Sequence, residues 1–286
     1  AKAYDGEVVS CDSMQIYKHM DIGTAKPTPE EMEGVPHHMI DCVEPGEDFS
    51  VGKYVQLADG CVQDILSRGK TAVIAGGTGL YVDSLIAFAP VPQTGKREAL
   101  EAQLRQEGGE AMLRKLRAVD PDAAARLHPA DEKRIIRALE VYAETGRTIT
   151  QHNLDTQQIP PRYRPVWIGL DYLDRAVLYR RIDLRVDLML QAGLLDEIRA
   201  LLARGVSPRT TAMQAIGYKE FFDALEGRST LSAAADLCKQ RSRNYAKRQL
   251  TWFRRNPQLC WLRMTGQEDF AQILAAARQN IPFSAL

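Results

Sequence analysis

The chain has 286 residues, of which 45% are hydrophobic and 26% charged; these are the proportions of a folded globular protein and exclude a disordered or collagen-like chain. No stretch reaches the roughly 18 uncharged apolar residues that a membrane span needs. The first ten residues lack the basic and then apolar segments of a leader, so the protein is expected in the cytoplasm with no membrane partner. The formal net charge is zero, yet residues 1–60 carry twelve acidic groups against four basic ones, and the remainder of the chain is correspondingly basic.

The opening AKAY reads as the last turn of a helix, Asp5-Gly6 as a turn and EVVSCD as a buried strand. In an α/β protein such a strand follows a βα unit, so a first strand, loop and helix are expected ahead of it. HHMIDCV (37–43), TAVIAGG (71–77), PVWIGLDY (165–172) and CWLRM (260–264) have strand length, and 50–68 has helix length between them. That alternation predicts a parallel sheet. Residues 97–106, 110–119 and 131–146 repeat apolar positions with a helical period between Pro-rich joints at 90–92 and 160–165. They predict a helical insertion over 91–160 within a core made of 1–90 and 161–286. A long helix is expected from Asp174 through Ala192, stopped by Gly193 and followed by LLDEIRALLARG. The five cysteines (Cys11, Cys42, Cys61, Cys238, Cys260) are scattered and never spaced CxxC, and the five histidines form no HExxH, so disulfides, a zinc site and zinc hydrolysis are not indicated.

Several segments have the residue types for chemistry. DSMQ follows the first strand, where open α/β sheets place ligands, and delivers Asp12, Ser13 and Gln15. A carboxylate there can accept a proton or hold magnesium, and Ser and Gln can bond a base edge; DSMQ also fits a helix capping box. GGTGLY (76–81) leaves the next strand with Thr78 among glycines, which suits either a ligand contact or a tight turn. Thr94-Gly95-Lys96 lacks the spacing of a phosphate loop. Arg181 and Arg185, four apart on one helix face, offer two guanidinium forks suited to a diphosphate, or an ordinary ion-pair face with Asp183 and Asp187. Lys133, Arg134 and Arg137 make a basic helix start with an apolar opposite face, which by itself reads as a solvated face. Gln214, Gly217, Tyr218 and Lys219 offer stacking plus charge, or a helix joint. Residues 239–255 carry seven Lys/Arg and no acid, interleaved with Tyr245, Trp252 and Phe253. That run predicts a nucleic-acid surface in preference to a solvated helix, because uncompensated positive charge is costly to crowd without an anion.

DSMQIYKHMDIGTAKP, PHHMID, GGTGLY, HPADEKRIIRALEVYAETG, RIDLRVDLML with AGLLDEI, AIGYKE and AKRQLTWFRR occur in an order that resembles the tRNA dimethylallyltransferase family from about residue 3 to about residue 264. The resemblance implies an α/β, P-loop kinase-like parallel-sheet core carrying a helical insertion that contacts the anticodon arm. It implies transfer of a dimethylallyl group from dimethylallyl diphosphate, with magnesium, to the N6 amine of the adenosine beside the anticodon in tRNA. Asp12 is then the general base, with Ser13, Met14 and Gln15 framing the adenine. Arg185 neutralises the diphosphate with Arg181 beside it, and Thr78 stands at the channel mouth. The segments Lys133, Arg134, Ile135, Ile136, Arg137 and Gln214, Ala215, Ile216, Gly217, Tyr218, Lys219 hold the anticodon stem-loop, and the chain is expected to act as a monomer. Two departures stand out. The family's GPTxxGK[ST] loop, whose Lys and Ser/Thr hold diphosphate and magnesium, is not among these residues, so the metal ligands are unassigned. The family's insertion arginine falls at Leu100, near Arg97, so that role is unassigned too. The alternatives are a tRNA-binding chain without catalysis and a prenyl transferase acting on free adenine nucleotides; the insertion and the 239–255 run argue against the latter.

Overall fold

The computed structural model describes residues 1–87 and 96–281, which divide into two compact units, Ala1–Leu85 with Arg164–Leu286 and Ile86–Tyr163. The sequence-predicted insertion, 91–160, falls inside the second unit. Thr94 and Gly95 lie outside the described residues.

In the first unit a single 3-10 turn at Lys2–Tyr4 leads into β1 (Gly6–Cys11), whose Val9 and Cys11 are fully buried. A short helix α1 (Pro29–Met32), closed by a capping box from Thr28 and Glu31, precedes β2 (His37–His38). Helix α2 (Val51–Ser67) starts at the N-cap Ser50 and turns Tyr54, Val55, Ala58, Val62 and Ile65 inward, the one-sided stripe a helix needs to pack on a sheet. β3 (Thr71–Gly76) runs parallel to β1 over six residues, from Gly6 opposite Thr71 to Cys11 opposite Gly76, giving the order β2-β1-β3. α3 (Gly79–Ala87) follows.

One expected strand is largely a loop. Of HHMIDCV only His37 and His38 pair with β1; Met39 and Asp41 take left-handed backbone conformations, and the amides of Cys42 and Val43 turn to the carbonyl of Ile16. The apolar side chains of 39–43 thus serve a turn packed on residues 14–18, and the strand period there misled.

The second unit is helical: α4 (Arg97–Val119), α5 (Pro121–Ala124), α6 (Glu132–Thr145) and α7 (Ile149–Gln158). Gly108 interrupts α4 with a positive φ of 80°, which separates the two helices expected at 97–106 and 110–119. Met112, Leu116, Ile135 and Leu139 pack together in its core, and Asp120 ties α5 to α7 by accepting from the amides of Ala123 and Thr150.

The first unit resumes with β4 (Ile168–Tyr172), α8 (Arg175–Gln191), α9 (Leu194–Ala203), α10 (Phe222–Leu225), the 23-residue α11 (Leu231–Phe253), β5 (Cys260–Met264) and α12 (Phe270–Gln279). β4 and β5 form a two-stranded parallel sheet. Ile16, Tyr17 and Met20 from the turn after β1 pack with Ile198, Leu201, Met213, Tyr218, Phe221 and Cys238, so the segment that carries Asp12 is seated on the largest helical core. No helix among the described residues is long and apolar enough to cross a membrane.

Candidate active site

The carboxyl ends of β1 and β3 lie side by side, and the two turns that leave them are tied together. The amide of Thr78 donates to the carbonyl of Cys11 (3.2 Å), and the amide of Ser13 donates to Thr78 Oγ1 (3.1 Å). Gly76 is required by close approach, since a Cβ there would stand 2.3 Å from the Cys11 carbonyl oxygen. DSMQ is not a helix cap: residues 13–16 form turns, and only half of the expected box is present. Asp12 Oδ1 accepts from the amides of Met14 (2.7 Å) and Gln15 (3.3 Å), which leaves Oδ2 for other work. Gln15 points inward, accepting from Ser10 Oγ and donating to the carbonyls of Thr24 and Ala25, so its amide braces the turn instead of offering an edge to a base.

Arg185, from α8, is close enough to Asp12 for their charges to interact. Crowding strips water from its guanidinium and lowers its pKa, and the Asp12 carboxylate opposes that shift. Among the described residues no carboxylate lies within 4 Å of it. The reason is visible one face over: Asp183 is held by Arg243 and Asp187 by Lys239 (2.6 Å), both from α11. The ion pairs of Asp183 and Asp187 are therefore made between α8 and α11, and Arg181 and Arg185 are left to other partners. Arg181 lies over the ring of Tyr172, 5.7 Å from its centroid.

The same kind of pairing extends along residues 239–255. Lys239, Arg241, Arg243 and Arg254 face Asp187, Glu220, Asp183 and Asp171, so acids distant in sequence compensate four of its seven charges. Lys247, Arg248 and Arg255 lie over the rings of Tyr179, Tyr245 and Trp252. Tyr245 is close enough to Asp12 to feel its charge: burial, then the Asp12 carboxylate, raises its pKa.

Tyr218 does not stack on a partner. It is fully buried, fills the space over Gly23 and donates to Glu197 Oε1 (2.6 Å). Ala215 and Gly217 are buried with it, while Gln214 is exposed and Ile216 and Lys219 half-buried. In the second unit Ile135 and Ile136 are core residues and Arg137 binds the buried Glu140 (2.9 Å), so within the segment 133–137 the exposed charges are Lys133 and Arg134. Three functional supports escaped the sequence. Glu197 accepts the amides of Asp21, Ile22 and Gly23; Glu220 holds the amide of Gly217; and Gln249 holds Gly77. The spacing of Tyr245, Gln249 and Trp252, one face of α11, was the available signal for the last.

The family model described as IPP transferase matches residues 15–256. A tRNA dimethylallyltransferase of Geobacillus thermodenitrificans is 49% identical over 275 residues, covering 95% of this chain and 86% of that protein. The solved full-length tRNA isopentenylpyrophosphate transferase of Bacillus halodurans superposes with a TM-score of 0.72 at 44% identity, covering 98% of this chain and 88% of that one. A eukaryotic dimethylallyltransferase solved while acting on tRNA gives a TM-score of 0.81 at 30% identity, covering 98% and 72%. The α/β, P-loop kinase-like class expected from the sequence is the fold these structures share. By the extent of these matches, the chain belongs to the IPP transferase family.

Proposed function

We propose that this protein transfers a dimethylallyl group from dimethylallyl diphosphate to the N6 amine of the adenosine beside the anticodon of tRNA. The observation that carries the reading is the pairing of Asp12, with one oxygen tied by backbone amides, and Arg185, a cation with no carboxylate within 4 Å among the described residues. An amine conjugated with a purine ring is a weak nucleophile until its proton is drawn off. In the transfer the N6–C1 bond forms, the C1–O bond breaks, Asp12 Oδ2 takes the N6 proton, and diphosphate leaves against Arg185. A planar guanidinium suits that leaving group, and its charge stabilises the transition state more than the ground state.

Magnesium belongs to the reading as a companion of the diphosphate, whose charge it neutralises when bound. Asp12 is a carboxylate of the site, and no group of three His, Cys, Asp or Glu side chains able to hold a metal exists among the described residues, so these residues do not form a protein-held magnesium cage. An ion held mainly by phosphate and water needs none, and no step here runs through it. Exposed Lys133 and Arg134, with Gln214 and Lys219, are the groups assigned to the anticodon stem-loop, and the protein acts as a monomer. The adenine leaves its stack to reach Asp12.

The test is mass spectrometry of tRNA nucleosides after incubation with dimethylallyl diphosphate and magnesium, run on this chain and on one extended upstream by a GxxxxGK[ST] loop. Adenosine enlarged by one C5H8 unit from either protein supports the reading. Tight stem-loop binding with no product from either overturns it in favour of a tRNA-binding protein without catalysis.

A further inference from the structure

Tyr245, Gln249 and Trp252 follow one another at four and three residues, so they share the face of α11 that covers the exit of β3. Gln249 and Trp252 meet the glycine turn that carries Thr78. Gln249 Nε2 donates to the carbonyl of Gly77 (3.0 Å), and a Cβ on Gly77 would stand 1.9 Å from that nitrogen. The indole of Trp252 donates to Asp83 Oδ2 (2.8 Å), and a Cβ on Gly79 would stand 2.3 Å from its ring. The glycines of this turn thus make room for side chains of a helix about 170 residues further along, not for a phosphate.

We propose that Gln249 is a positioning residue for the reaction, holding the Thr78 turn and, through Thr78, the peptide beside Asp12. This rests on Asp12 being the base. The path is short: Gln249 fixes Gly77, the next residue is Thr78, Thr78 Oγ1 accepts the amide of Ser13, and Ser13 adjoins Asp12. Thr78 Oγ1 also stands 3.4 Å from Ser13 Oγ, so the turn is held by Ser13 on the strand side and by Gln249 on the helix side. The Asp12 carboxylate can meet N6 only while its Oδ1 stays bound to Met14 and Gln15, because that contact aims Oδ2. A donor is essential at position 249, since the group it meets is a carbonyl.

The experiment compares the full chain with Gln249→Glu, which keeps the size but places a carboxylate where the carbonyl needs a donor, and with Gln249→Met, which keeps the length alone. Backbone hydrogen exchange is followed by NMR at Ser13, Met14 and Gln15 and, as a reference, in α2; steady-state transfer is measured alongside. Both variants are expected to exchange at residues 13–15 about tenfold faster with α2 unchanged, and to lose about tenfold in kcat with KM for both substrates nearly constant. Unaltered exchange at 13–15 overturns the proposal, as does acceleration throughout the chain, which marks ordinary loss of stability. If the parent protein transfers no prenyl group, the function fails while the exchange comparison still decides whether Gln249 orders the Asp12 turn; transfer with unaltered exchange leaves the function standing and removes Gln249 from it.

Discussion

Asp183 on α8 is paired with Arg243 on α11, two residues along the helix from an Arg185 that has no carboxylate within 4 Å among the described residues. The usual fate of an arginine among aspartates is a surface ion pair of small value. Here α11 occupies both neighbouring aspartates and keeps one guanidinium available beside Asp12. Arg185→Ala is expected to lower kcat/KM for dimethylallyl diphosphate by on the order of a hundredfold. Arg185→Lys should recover only part of it, because an ammonium lacks the planar fork. Steady-state kinetics of the two variants check this, and equal activity of Ala and Lys variants would remove the role.

Asp12→Asn keeps the Oδ1 that accepts from Met14 and Gln15 and removes the basic oxygen. Transfer should fall by about a hundredfold or more, with the thermal midpoint nearly unchanged. A single-turnover assay on stem-loop RNA, with circular dichroism for the fold, separates the two effects.

Tyr218 and the basic helix start respond differently. Tyr218→Phe removes the donor to Glu197 and is expected to destabilise the protein by about 1–2 kcal/mol, with stem-loop affinity unchanged because the ring is fully buried. Lys133→Glu with Arg134→Glu should leave stability alone and reduce the slope of log affinity against log salt by roughly one for each phosphate that is no longer neutralised. Urea unfolding and filter binding at several salt concentrations read both.

Glu7 gives a pH dependence. The buried Glu7 carboxyl accepts a bidentate pair from Arg68 and a bond from His38, and these hold its pKa far below the ordinary carboxylate range. A folded pKa that is depressed contributes stability above the unfolded value, about 4.3, and loses it as pH falls further toward the folded value. Glu7→Gln should therefore lower the thermal midpoint at pH 7, and the gap between variant and parent should narrow progressively below pH 4 in calorimetric scans.

The sequence by itself determined the parallel-sheet alternation, the helical insertion, the order of the motifs and hence the family, because short apolar runs, helical periods and fixed motif spacings are local properties of the chain. Asp12, Thr78 and Arg185 were named from it for the same reason: each sits at a strand exit or on a helix face that local pattern defines. Tertiary structure alone decided which partners those residues keep. The 39–43 run became a turn because Ile16 offered its carbonyl to Cys42 and Val43. Four of the seven positive charges in 239–255 were compensated by Asp171, Asp183, Asp187 and Glu220, none of them within that segment. Tyr218 went into the core to fill the space over Gly23, and the glycines before and after Thr78 made room for Gln249 and Trp252. Charge compensation and steric fit act between side chains brought together by packing, whatever their separation along the chain, and no local pattern records them.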